Sequence, residues 1–277
     1  MNTVKSNLFA LCLAFFVATT IVAGNQLTYT AIEKLPVTDT LLYAGLHPNA
    51  FNVKMISHRF EDGKGTILFN GELTTIGSRA FYACDGLTSI DIPGSVRTIG
   101  SEAFFFCSRL QTVSFGLGIN TIESNAFCWC ENLTSITLPI TLYTLGDEAF
   151  SLCGLTELKI PLAVTAIGTD AFGFCSQLTS VTTQWGKESL LPTMGEDVFV
   201  NIAGGEGPQN ATLHIPSSTH HIYDYADQWM DFGTINDDYD PSSALSSVSG
   251  EAVTPIKVLQ DGHIYIRRNG RLYPMFY

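Results

Sequence analysis

VRTIGSEAFFFCSRLQTVSF (residues 96–115) and INTIESNAFCWCENLTSITL (residues 119–138) follow one pattern. Each has an apolar residue, two polar ones and Ile. Ala-Phe comes next, then a Cys three residues after the Phe, then Leu-x-x-apolar-x-apolar. Ala-Phe recurs at Ala80-Phe81, Ala103-Phe104, Ala126-Phe127, Ala149-Phe150 and Ala171-Phe172, and the Cys at Cys84, Cys107, Cys130, Cys153 and Cys175. The Cys spacings are 23, 23, 23 and 22 residues. A fixed period of this length marks a repeat solenoid, in which each copy contacts only its neighbours. Such arrays display surfaces and rarely carry chemistry.

Within a copy, the residues after the Ile/Leu-Gly step are Ser78, Ser101, Ser124, Asp147 and Thr169. All are good helix N-caps, so a helix of one or two turns is expected there, carrying Ala-Phe inward. The pairs Ile90/Ile92, Val113/Phe115, Ile136/Leu138 and Leu158/Ile160 have period two, the mark of a strand with one buried face. Pro93, Pro139 and Pro161 end three of these strands. The expected fold is therefore an array with a parallel β-sheet on one face and short helices or turns on the other.

Outward from the array, residues 25–65 fall out of register. Val53 to Phe60, a turn at Glu61-Asp62-Gly63-Lys64-Gly65, and Thr66 to Phe69 read as a β-hairpin forming an N-terminal β cap. Repeats with their C-terminal closure span residues 66–235. Ile222, Tyr225, Ala226 and Trp229 share one apolar face of a helix starting at Ser217 or Ser218 and ending at Met230, the expected helical C-terminal cap. Residues 236–254 read as a linker and residues 255–277 as a small β tail with turns at Asp261-Gly262 and Asn269-Gly270. At the other end, Lys5, the apolar run Leu8 to Val22 and Val22-Ala23-Gly24 read as a signal peptide over residues 1–24.

The chain has 277 residues, a net charge of −12 and only 14% charged residues. That charge opposes nucleic acid and anionic membranes as partners. No membrane insertion is expected after signal cleavage. No nucleophile elbow, phosphate loop or His-Glu zinc motif is present in the sequence, and no enzyme, cofactor or metal is expected.

The repeat columns, apolar-x-x-Ile-Gly-x-x-Ala-Phe-x-x-Cys-x-x-Leu-x-x-Ile-x-Ile-Pro, resemble the leucine-rich repeat of the BspA type over roughly residues 66–235. The resemblance implies a curved leucine-rich-repeat solenoid on a surface or secreted protein of gut and oral anaerobes. It further implies adhesion for some members, with no binding residue to carry over. The stretch from Gln260 to Tyr273 is similar to β tails of exported proteins of the same bacteria, some of which act as type IX secretion signals. The closing Gly-Arg or Gly-Gln of those tails is absent here.

Two surfaces are candidates for contact. The first is an aromatic ridge between Phe and Cys of each copy, centred on Phe105, Phe106 and Trp129. The second is the outward strand face, with Ser89, Asp91, Thr112, Ser135, Thr137, Glu157 and Lys159. This second set lacks the Trp, Tyr and Arg that dominate binding hot spots. The Cys column reads as a buried stack of thiols rather than disulfides or a metal site, because parallel side chains hold Cβ atoms too far apart to bridge. Cys128, outside the column, reads as an exposed or half-exposed thiol. His214, His220 and His221, and Asp237, Asp238 and Asp240, are weak metal signals. The expected activity is interaction with an extracellular protein or glycan; the alternative is a structural spacer or display scaffold without a ligand. Oligomeric state is left open.

Overall fold

A computed structural model describes residues 24–39, 44–187 and 190–239, and the backbone strands at 256–260, 263–268 and 271–274. The signal-peptide reading, and the linker between 240 and 255, lie outside the described residues.

The array is preceded by β1 (Gln26–Ala31), β2 (Met55–Glu61) and β3 (Lys64–Phe69). Short and longer strands then alternate: β4 (Thr75–Ile76), β5 (Leu87–Ile92), β6 (Thr98–Ile99), β7 (Thr112–Phe115), β8 (Thr121–Ile122), β9 (Thr144–Leu145), β10 (Glu157–Lys159), β11 (Ala166–Ile167), β12 (Ser180–Thr182), β13 (Thr193–Met194), β14 (Thr212–Pro216) and β15 (Thr234–Tyr239). The tail adds β16 (Ile256–Gln260), β17 (His263–Arg268) and β18 (Arg271–Pro274), an antiparallel sheet in that order.

The result is a β-solenoid of parallel strands with almost no helix. The copies carry two ladders where one was expected. The two-residue strands, Thr-Ile in the first three copies and hence the Thr-Ile ladder, form a continuous six-stranded parallel sheet, β4-β6-β8-β9-β11-β13. The longer strands form the second ladder, in two pieces. β5 and β7 join the N-terminal strands as β2-β3-β1-β5-β7, while β10-β12-β14-β15 stand apart. Among the described residues, no backbone hydrogen bond ties 135–138 to either neighbouring copy.

Between the ladders the chain turns without forming the expected helix. Alternate N–H groups divide their partners. Ala80, Tyr82 and Cys84 donate back within the turn, to Gly77, Arg79 and Phe81. Arg79, Phe81 and Ala83 donate to the next copy, to Ser101, Ala103 and Phe105. The same alternation recurs down the array, as in Asn125 to Asp147, Phe127 to Ala149 and Trp129 to Ser151. A helix needs every N–H for its own i−4 carbonyl, so the stacked neighbours outcompete it.

The core is a column of rings. Phe81, Phe104, Phe127, Phe150, Phe172 and Phe199 stack with centroids 4.9–5.9 Å apart and interplanar angles of 1–10°. Strand spacing of about 4.8 Å sets that pitch. Edge-on rings close the stack: Phe51 against Phe81 (77°) at one end and Phe232 against Phe199 (73°) at the other. Beside it, each Cys thiol donates to the Phe carbonyl of the preceding copy. The distances are 3.1 Å for Cys107 to Phe81, 3.3 Å for Cys130 to Phe104, 3.2 Å for Cys153 to Phe127 and 3.2 Å for Cys175 to Phe150.

Three further expectations are corrected at the ends. The helix from Ser217 or Ser218 to Met230 shrinks to α1 (His220–Tyr223), because left-handed backbone at Ser218 and Gln228 interrupts it. Tyr225 is 88% exposed, outside the apolar face it was assigned to. Residues 236–239 lie in β15, paired parallel to β14, so the polar stretch begins later than expected.

Candidate functional site

The outer turn holds two columns of left-handed residues, and neither contains glycine. The first is Arg79, Glu102, Asn125, Glu148, Asp170 and Asp197, with φ of 52–59°. The second is Ala83, Phe106, Trp129, Leu152, Phe174 and Asn201, with φ of 50–64°. The two lie four residues apart in each copy. Left-handed backbone is rare for such side chains, and the two inter-copy ladders of hydrogen bonds hold it here.

The second column carries the ridge. Phe106, Trp129 and Phe174 are 42%, 37% and 44% exposed. Phe106 meets Trp129 at 5.8 Å with a 47° tilt, and Phe105 at 6.4 Å. Phe105 stacks on Tyr82 of the copy before at 5.4 Å and 9°. The Arg79 guanidinium lies 5.1 Å from the Tyr82 centroid and pairs with Glu102 at 2.8 and 3.1 Å. The three ridge candidates are therefore in one contiguous row of rings. Cys128 is not: it is buried, contrary to expectation, and burial pushes its thiol up to about 12. All six cysteines from Cys84 on are free and buried, and desolvation raises every one of their pKa values.

The strand-face candidates do not form one open patch. β1 covers the first two: Ser89 Oγ bonds Thr30 Oγ1 at 2.7 Å, and Thr28 Oγ1 donates to Asp91 at 3.1 Å. The Lys159 ammonium sits 4.6 Å over the Tyr239 ring. Thr112, Ser135, Thr137 and Glu157 are exposed, with Ser135 and Thr137 on the unladdered segment.

One exposed set escaped the sequence reading. Leu117, Ile140 and Leu162 hold the same column, two residues before the opening apolar residue, and are 46%, 66% and 40% exposed. Aligning that column would have found them; Gly94 in the first copy hides its character.

The first left-handed column turns acidic toward the C-terminus. Asp147-Glu148, Asp170 and Glu196-Asp197 follow one another, and the Asp170 carboxyl is raised by burial, then by Asp197, Asp147 and Glu196. His214 Nδ1 donates to Asp238 at 2.9 Å, and His220 pairs with Asp224 at 2.7 Å. Among the described residues no three His, Cys, Asp or Glu side chains converge as metal ligands, and no helix is long and apolar enough to cross a membrane.

The family described as BspA type Leucine rich repeat region matches residues 64–179 and 117–226, with six copies. No curated protein matches the chain. Among solved structures, a leucine-rich repeat protein from Bacteroides ovatus is similar at 31% identity, over 58% of this chain and 37% of that one, with a TM-score of 0.45. The leucine rich repeat protein of T. pallidum is similar at 25% identity, over 61% and 65%, with a TM-score of 0.41. A leucine rich cell surface protein from Faecalibacterium prausnitzii is similar at 18% identity, over 66% and 68%, with a TM-score of 0.32. The chain thus spans less than two thirds of the first two proteins.

Proposed function

Because the chain belongs to the BspA-type leucine-rich repeat family, we propose that it is an exported, non-enzymatic interaction module that binds an extracellular protein or glycan through its outer turn. The strands β1–β3 and the segment from Thr219 to Tyr239 act as the closures of the array. One observation carries the reading: the exposed rings Phe106 and Trp129, flanked by half-buried Phe105, in a column that runs on through Leu152 to exposed Phe174. Aromatic anchors bury large area at low entropic cost, and each contributes about 2 kcal/mol or more at a hot spot. Serine and threonine contacts exchange water for ligand with a net gain nearer ~1 kcal/mol.

The test starts with capture of a ligand from host-matrix or neighbouring-cell extract, followed by titration. Phe106→Ser with Trp129→Ser should weaken binding at least about tenfold, the loss of roughly 1.4 kcal/mol. Replacing Thr112, Ser135 and Thr137 by Ala should change it less. Loss of binding in the second variant alone would place the site on the strand face.

A further inference from the structure

The two parts of the chain carry opposite charge. Residues 25–240 hold nine Lys and Arg against 24 Asp and Glu, a net of −15. Residues 256–277 hold Lys257, Arg267, Arg268 and Arg271 against Asp261, a net of +3.

The acidic charge is not spread evenly over the outer turn. Arg79 and Glu102 neutralise each other at its N-terminal end. Asn125 is neutral, and the next three copies bring five carboxylates, Asp147, Glu148, Asp170, Glu196 and Asp197. Among the described residues no Lys or Arg forms an ion pair with any of the five. Burial, and then Asp197, Asp147 and Glu196, raise the pKa of Asp170. This acidic column runs beside the apolar column Trp129, Leu152 and Phe174, and it strengthens toward the end from which the tail departs.

The tail has the complementary character. Its register aligns Lys257 with Ile266 and Ile266 with Tyr273, placing all three on one face of the three-stranded sheet. Alternation along β17 puts Arg268 on that face, together with its partner Arg271. A single sheet layer with a face of this kind needs a second layer to bury it.

The length of chain between them suffices. β15 ends at Tyr239 and β16 starts at Ile256, leaving 16 residues, 240–255. A chain of that length spans at most roughly 55 Å when fully extended. Phe174 lies two copies before β15 and Trp129 four, or about 10 and 19 Å along the array at the strand spacing.

We propose that residues 256–277 dock on the outer turn of their own chain, basic face against the acidic column and apolar residues over Trp129, Leu152 and Phe174. The docked tail covers the contact row until a partner displaces it. This rests on the outer turn being the contact face.

The chain reports on it directly. It has three tryptophans, of which Trp185 and Trp229 are buried and Trp129 is exposed on the array. Acrylamide quenching of the full chain therefore follows Trp129. At low salt quenching should be weak, and it should rise about twofold or more near 1 M salt, where the screening length is about 3 Å. Lys257→Glu with Arg268→Glu and Arg271→Glu should quench strongly at every salt concentration, whereas Arg268→Lys with Arg271→Lys should behave as wild type. Quenching that ignores both salt and the charge reversals overturns the proposal. Protection lost on about hundredfold dilution also overturns it, because a second copy's tail would then be the occupant. Salt- and charge-sensitive quenching alongside unimpaired ligand binding by the Phe106/Trp129 variant would keep the docking and reject the contact-face reading. The reverse pattern would keep the contact face and reject the docking.

Discussion

Phe127 lies between Phe104 at 4.9 Å and Phe150 at 5.1 Å, nearly coplanar with both and fully buried. One unbroken ladder, β6-β8-β9, and the inter-copy bonds of the turn fix those neighbours, so they cannot collapse into a void. Phe127→Ala should therefore cost toward the upper end of about 3–5 kcal/mol, read from urea denaturation; a shift under about 1 kcal/mol would mean that the site closes up. This column was legible because an apolar ring at fixed period has few alternative uses. The left-handed columns were not. Ser101 and Ser124 resemble caps, and the residues after them, Glu102 and Asn125, show no glycine. Only the frequency of Asn and Asp among Asn125, Asp170 and Asp197 hints at positive φ. Glu148, with φ of 53°, gives the test. Left-handed backbone costs an L-residue roughly 1–2 kcal/mol, and glycine's added chain entropy returns about 0.5–1 kcal/mol of that. Glu148→Gly should leave stability unchanged or up to about 1.5 kcal/mol higher, while Glu148→Val, branched at Cβ, should lose about 1–3 kcal/mol. Equal stability of the two variants would contradict the left-handed assignment. The thiols, read as a buried stack, have a donor role that the sequence hides, since a carbonyl partner comes from the copy before.

At the scale of elements, β1 shows how context outweighs pattern. Leu27, Tyr29 and Ala31 alternate with Gln26, Thr28 and Thr30, a period-two signal that lies far in sequence from its partners. It is wedged between antiparallel β3 and β5, so it meets the first longer strand of the array edge to edge. Tyr29 crosses to β2, where its hydroxyl lies 2.5 Å from His58 Nε2. The Tyr29 ring also lies over Gly65, filling the space a Cβ would need. Burial, then Lys34, lowers the His58 pKa. The folded state thus binds a proton less readily than the unfolded chain, whose histidine titrates near 6.5. The stability His58 confers is complete above that pH and lost as pH falls through it. A protonated Nε2 also cannot accept the Tyr29 hydroxyl. Melting temperature should fall from pH 7.5 to 5 more steeply in the wild type than in His58→Gln. Parallel profiles would assign the acid sensitivity elsewhere. β15 was misread for a related reason. Thr234–Tyr239 contains three acidic or amide side chains in a row, a poor strand by composition, but parallel pairing with β14 supplies what propensity does not.

The whole molecule is a stack whose stability is a sum of nearest-neighbour terms, and its terms are unequal along the axis. The Thr-Ile ladder runs unbroken through β8 and β9, and the Phe column and the turn bonds also cross the third copy. The second ladder lapses there, at 135–138. Leu133 to Leu138 keeps every apolar position of the repeat, and Leu133 and Leu138 stay buried. The lapse is therefore not written in that segment, which is why the copies were legible and the division of the sheet was not. An amide without a ladder partner exchanges through small local openings, whereas a laddered one needs a larger opening. Hydrogen exchange of the full chain should show amides 135–138 exchanging at least about tenfold faster than those of Thr112–Phe115 and Glu157–Lys159. Thr121–Ile122 and Thr144–Leu145 of the neighbouring ladder should stay protected. A tenfold rate difference corresponds to roughly 1.4 kcal/mol between openings. If 135–138 are as slow as the flanking strands, the second ladder is continuous in solution and the array has one sheet on that side.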